Sequence, residues 1–244
     1  GNDAIGYIGA DGKLYIQATY YALSEGNNSF TTVEMKQLQS TYNNYWSSAK
    51  GMKVTMADGK EVEIGGVEIQ VKPGGNFEQV SNHVKTEDGA NALFKATGTY
   101  IKNRGSGDNT QAITTNDIEK TTLNVTFLDV DKVGQFAVGE DQKKINNAFI
   151  DESGHILGTR HPRKKLPGEK NSAYNKYRQD NYGDLERGNI GANDVLKLSQ
   201  KDMQNIVNSK EFKLLPSDPS KPQTEENKNN NQNTQTPTNE KKDK

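Results

Sequence analysis

The chain has 244 residues, with 31 Lys and Arg against 32 Asp and Glu, for a formal net charge of -1. That length holds one domain of ordinary size or a small pair, and that balance argues against charge-driven binding to nucleic acid or a membrane surface. Cysteine is absent and there are only three histidines, which excludes disulfides, thiolate metal sites and a cysteine nucleophile and makes the position of each imidazole informative. No run approaches the ~18 apolar residues that span a bilayer, so a soluble protein without a membrane partner is expected. Hydrophobic residues make up 31% of the chain and mean hydropathy is -0.95, low enough to predict that part of it does not fold.

The composition changes near Pro216. Beyond it the chain is rich in Asn, Lys and Pro and lacks aromatic or large aliphatic side chains, so it cannot bury enough surface to offset the entropy of ordering. A folded domain over residues 1–215 and a disordered tail over 216–244 are predicted.

Within the domain, residues 12–22 (GKLYIQATYYA) follow an Asp11-Gly12 turn and are rich in strand formers. Residues 31–49 read as a helix capped by Thr31 or Thr32, with Glu34 in the first turn and Gly51 at the end. Val33, Leu38, Tyr42, Tyr45 and Trp46 approximate its apolar stripe. Residues 52–56 and 61–71 read as a strand pair around Asp58-Gly59, with Gly65-Gly66 as a bulge or turn. Residues 77–96 are ambiguous, partly helical. Residues 121–128 read as a strand with Leu123, Val125 and Phe127 on one face. Residues 141–154 read as a helix, and 199–207 as another with Ser199 as its cap. The order is strand, long helix, strands, helix, irregular stretch, terminal helix. It predicts the α+β class: a mixed twisted sheet backed by helices.

One segment concentrates the chemistry. Residues 151–162 read DESGHILGTRHP and hold His155 and His161. Glu152 precedes His155 by three positions, so on a helix the two are neighbours on adjoining faces. Gly158 adopts positive φ at no steric cost, ending the helix in a sharp turn that brings His161 back opposite His155. Two neutral imidazoles, an open position for water and a carboxylate one turn away are what a hydrolytic zinc site requires.

The segment resembles the motif of the metzincin metallopeptidases, His-Glu-x-x-His-x-x-Gly-x-x-His, at Glu152, His155, Gly158 and His161, every spacing kept. Gly154 and Pro162 are similar to common variants of the motif. The resemblance covers roughly residues 12–210 and implies a metzincin-like catalytic domain with an active-site helix and a C-terminal helix. It implies a secreted zinc metalloendopeptidase cutting a protein or peptide substrate, with Glu152 as general base, His155 and His161 as zinc ligands, and Asp151 at the first ligand position.

Two departures stand out. Asp151 occupies the position of a family His, and the family's Met-turn has no counterpart. The stretch Gly188-Asn189-Ile190-Gly191 holds no Met, and Met203 falls inside the predicted last helix. A carboxylate oxygen lies ~2 Å nearer the backbone than an imidazole Nε2, so a gap about as long as a zinc–oxygen bond, ~2.0–2.2 Å, is predicted. A shifted helix, a bridging water, or a metal held by two histidines alone would accommodate it. Weak zinc binding and much reduced peptidase activity are expected.

Alternative functions stay open on the sequence. One is a non-catalytic interaction module on the same scaffold. Another is a bacterial secreted toxin domain, acting as a protease or, less in keeping with the near-neutral charge, as a nuclease using Asp151, Glu152 and His155 around a hard cation. Either protease role admits an inhibitor or immunity protein as partner.

Other features have plainer readings. His83 reads as a solvent-facing side chain. Arg160, Arg163, Lys164 and Lys165 form either a solvated loop or a cleft wall receiving an acidic substrate or partner. Gly105-Ser106-Gly107-Asp108-Asn109 reads as a flexible turn, and Tyr174, Tyr177 and Tyr182 as core packing or cleft lining.

Overall fold

The computed structural model describes residues 4–104, 112–115, 125–133, 141–187 and 196–220. The turn at 105–109, the stretch 188–191, Leu123 and the tail beyond residue 220 lie outside them.

The sheet is built on four parallel strands, β2 (Leu14–Ala22), β4 (Glu61–Pro73), β5 (Ala90–Ala96) and β7 (Val125–Asp129). Antiparallel strands β3 (Lys53–Thr55) and β6 (Ala112–Thr115) flank them, giving the order β3-β4-β2-β5-β7-β6. Strand β1 (Ala4–Ile8) runs antiparallel to the first half of β2, whose second half pairs with β5. The C-terminal strand β8 (Phe212–Leu214) lies parallel to β1. This is the expected α+β arrangement, a curled mixed sheet backed by helices.

Helix α1 (Thr32–Trp46) begins with a capping box: Thr31 Oγ1 accepts from the Glu34 amide and the Glu34 carboxylate accepts from the Thr31 amide. The same carboxylate takes the Lys95 ammonium at 2.8 Å, which fastens the helix start to β5. Its buried stripe is Met35, Leu38, Tyr42 and Trp46. Val33 is 63% exposed and does not belong to it, because the stripe steps by three and four from Met35. A single 3-10 turn, Ser47–Ala49, follows, and Gly51 at φ 88° closes the segment as expected.

In β4 the pairing jumps from Leu14 opposite Ile64 to Tyr15 opposite Gly66, so Gly65 is the extra residue of a bulge. A Cβ at Gly65 would lie 2.5 Å from Tyr15 Cζ, so any larger residue there would displace the Tyr15 ring from where it crosses the strand. The ambiguous stretch resolves into α2 (Phe77–Thr86), capped by Asn76, and β5. Between β5 and α5 (Asp141–Leu157) come α3 (Gly98–Arg104) and the four-residue α4 (Val130–Val133). The stretch expected to be irregular holds α6 (Asn171–Asn181) and α7 (Asp184–Arg187), before α8 (Gln200–Val207) with Ser199 as its cap.

The helices divide between the two faces. Leu93 and Leu128 join β2, β4, α1, α5 and α8 in the larger core, where Trp46, Tyr42, Tyr20 and Phe149 are fully buried. Phe94, Val125 and Phe127 point the other way, into a smaller cluster with α2 and Ile101 of α3. The period-two alternation of the strands thus sends alternate residues into two cores. Helix α5, which carries the chemistry, lies on the larger one.

Candidate metal centre

Helix α5 is tied to α1 and to the sheet just where the motif begins. Trp46 Nε1–H donates to Ser153 Oγ at 2.9 Å, and Ser153 Oγ donates to the Ile150 carbonyl at 2.6 Å. On the sheet side, Thr126 Oγ1 bridges Tyr20 Oη at 2.9 Å and Thr114 Oγ1 at 2.8 Å. Both outer hydroxyls reach the Glu152 carbonyl at 3.5 and 3.4 Å, the long end of the range. The motif turn is therefore fixed from two directions by residues far away in sequence.

The helix runs three residues beyond the predicted end, to Leu157, and stops in a Schellman turn. Gly158 N donates to His155 O at 3.1 Å and Thr159 N to Gly154 O at 3.0 Å, with Gly158 at φ 111°. The chain then turns back, as the glycine predicts, and His161 meets His155.

The two Nε2 atoms are 3.0 Å apart, with the rings inclined at 75°. Asp151 Oδ2 is 3.9 Å from His155 Nε2 and 3.8 Å from His161 Nε2. A triangle with sides of 3.0, 3.8 and 3.9 Å has its equidistant point about 2.1 Å from each corner, within the span of zinc–nitrogen and zinc–oxygen bonds. The predicted shortfall of Asp151 therefore does not arise: its oxygen completes the triangle. Among the described residues these three form a group whose donor atoms all lie within 4.8 Å of one another.

The surroundings suit a cation. His155 Nδ1 lies 3.1 Å from the Thr159 carbonyl, which requires the proton on Nδ1 and leaves the Nε2 lone pair facing the triangle. This tautomer is assigned from the partner. Asp151 is 6% exposed, whereas the His161 side chain is 60% exposed, so the triangle is walled on the helix side and open toward solvent. Two imidazoles and one carboxylate fit a divalent transition metal with further positions left open.

Glu152 is 8% exposed and belongs to the same buried turn. Burial first, and then the nearby negative charge of Glu152, push the Tyr42 phenol far above its ordinary value. Glu152 thus lies in electrostatic reach of α1, beside the triangle and not in it.

The basic cluster is mostly engaged within the protein. Arg160 pairs with Glu211, and Arg163 forks onto Glu169 at 2.8 and 2.9 Å while lying 4.3 Å over the Tyr177 ring. Lys165 donates to Asn171 Oδ1 at 2.6 Å. Hydrogen bonds from Arg163 and the Leu166 amide hold the Glu169 carboxyl down at about 2. The arginines therefore brace the loop after His161, so a charge-complementary cleft wall would have to draw on the lysines. Tyr174 and Tyr177 lie on α6, where they cover Arg163, and Tyr182 meets Tyr177 through its hydroxyl. His83 is half-buried, stacked on Tyr21 at 3.9 Å with Nδ1 2.7 Å from Glu87, a correction to its solvent-facing reading. Met203 is buried inside α8.

Spacing did not reveal Thr159, Ser153, Tyr20, Thr114 or Thr126, because each acts through a carbonyl or a long-range contact. Among the described residues no helix is long and apolar enough to cross a membrane. No family model, no curated protein and no solved structure matches the chain.

Proposed function

We propose that this domain is a metalloendopeptidase of metzincin kind, with zinc held by His155, His161 and Asp151, and that Asp151 leaves it impaired in this form. The observation that carries the reading is the ligand triangle, whose three donor atoms surround a point one coordination bond from each. The Glu-x-x-His-x-x-Gly-x-x-His spacing adds the acid next to the first ligand and the glycine turn before the last.

Zinc held by these three residues would supply an acidified water and polarise a carbonyl oxygen. The chain supplies the rest. Thr159 holds His155 in the tautomer whose Nε2 lone pair faces the ligand triangle, and the Trp46–Ser153 bond fixes the rotation of α5. Glu152 takes a proton from the attacking water and passes it to the leaving amine. Asp151 adds a negative charge where the motif has a neutral imidazole. It would lower the net charge of a loaded centre, and with it the acidifying power the metal would supply there.

That same carboxylate favours the second reading, a non-catalytic module that keeps the scaffold and binds a protein partner. Asp151→His separates the two. A peptidase with an impaired ligand gains casein cleavage over the parent chain on this substitution, and loses it again with Glu152→Gln or a chelator. An Asp151→His chain that binds no zinc and cleaves nothing supports the module instead.

A further inference from the structure

At the turn that follows α5, one guanidinium, that of Arg160, reaches the His155 and Thr159 carbonyls and the Glu211 carboxylate. We propose that Arg160 and Glu211 are a positioning pair for the metal centre, so that docking of the C-terminal strand β8 and loading of the metal are linked. The inference rests on the metal-binding reading above and concerns its regulation.

Arg160 Nη1 donates to the Thr159 carbonyl at 3.0 Å and comes within 3.5 Å of the His155 carbonyl. The Thr159 carbonyl is the one that takes His155 Nδ1–H at 3.1 Å. One oxygen therefore receives both donors, and where Arg160 holds it decides where the imidazole points. The other arm of the guanidinium pairs with Glu211, whose side chain is 14% exposed. Ser209 Oγ donates to Glu211 Oε2 at 2.7 Å and fixes the carboxylate from the far side. Burial alone would push the Glu211 carboxyl up, but Ser209 and Arg160 outweigh it and keep the group ionised.

The same short segment touches the turn a second time. A Cβ at Gly158 would lie 2.6 Å from Ser209 Cβ, so Ser209 closes over the glycine that redirects the chain toward His161. Residues 209–211 thus grip the turn by shape at Gly158 and by charge at Arg160. They lead directly into β8, three residues long and paired with β1 from Ala4–Phe212 to Gly6–Leu214. So short a strand belongs to the least stable part of a fold, the part most readily biased by a ligand. Linkage is reciprocal: if the strand helps the imidazole face the ion, the ion must help the strand stay docked.

The test measures Zn2+ affinity by competition with a chromophoric chelator, together with amide hydrogen exchange at Lys213 and Leu215, on the full chain. Glu211→Gln keeps the shape and removes the charge. It is expected to weaken Zn2+ binding about 10-fold, the lower end for partners outside the ligand shell, with the melting temperature of the metal-free protein unchanged. Arg160→Lys keeps a charge for Glu211 but not the fork that also holds Thr159, and it should weaken binding as much. It decides the matter if Glu211→Gln also lowers the metal-free melting temperature. Zn2+ should slow exchange at Lys213 and Leu215 in the parent chain and fail to do so in Glu211→Gln. A parent chain that binds Zn2+, with both variants binding equally well, overturns the positioning role and leaves the metal centre standing. A parent chain that binds no Zn2+ overturns the metal reading and this inference with it.

Discussion

Replacing Gly158 by alanine tests the turn on which the ligand triangle depends. The residue sits at φ 111°, and a Cβ added there would lie 2.6 Å from both Cβ and Oγ of Ser209. A side chain held in that region of backbone space costs about 1–3 kcal/mol. Forcing a methyl group into a closed corner costs about as much again, ~1–3 kcal/mol. Together these predict a loss of about 2–6 kcal/mol, or a fall in melting temperature of about 4–24 °C for a domain of this size. Urea unfolding followed by far-UV circular dichroism measures the first quantity, and Zn2+ titration of the folded variant should show that His161 no longer reaches the ion. Pairing the substitution with Ser209→Gly, in a cycle with both single variants, recovers the crowding part and leaves the backbone part. A Gly158→Ala protein within ~0.5 kcal/mol of the parent, the ordinary range of a neutral surface change, would refute the steric reasoning.

Two further predictions concern the supports of the site. Glu169 has a folded-state pKa of about 2 against an ordinary 4.5, so its bond to Arg163 contributes stability that is fully present above pH 4.5 and is lost as the pH falls toward 2. Unfolding curves of the parent and Glu169→Gln should therefore differ above pH 4.5 and merge near pH 2; a constant offset at every pH would contradict the pairing. Trp46→Phe removes the indole N–H that holds Ser153 and leaves a small void, at a combined cost of about 2–3 kcal/mol. Trp46 is the single tryptophan of the chain, so circular dichroism and not intrinsic fluorescence must follow it. An unchanged midpoint would show that the bond does not anchor α5.

The elements legible in the sequence were those whose cause is local. The capping box at Thr31 and Glu34, the Asp58-Gly59 turn, the bulge at Gly65 and the Ser199 cap each lie within a few residues of what they control. The same holds for the ligand turn: Gly158 and the spacing of His155 and His161 suffice to bring the rings together. Asn76 followed by Gln79, a capping box open to reading, would have resolved the start of α2. What escaped was tertiary. The segment Phe212–Leu214 is extended because β1 offers it a partner, and α6 buries no residue, so its sequence carries little of the apolar stripe that marks a helix. Val33 is apolar by type and yet exposed, because the buried stripe of α1 starts at Met35. At the site, the reach of Asp151 could not be read from side-chain length alone, since the bend after Gly158 brings His161 toward the carboxylate.

The pairing of β1 with β8 has a practical consequence. Parallel strands lie about 4.7–4.9 Å apart. The first strand starts at Ala4, opposite Phe212, and the last ends at Leu214, opposite Gly6, so the start of one strand and the end of the other are offset by only two residues along neighbouring strands. Such a body can be spliced into a surface loop of an unrelated host, or its two ends joined by a short Gly-Ser bridge and reopened elsewhere, without stretching any element. Reopening within the Met56–Lys60 hairpin, far along the chain from the ligand turn, would yield a permuted protein in which residues 209–215 are bridged directly to the first strand, so that β8 is covalently held to the partner it pairs with.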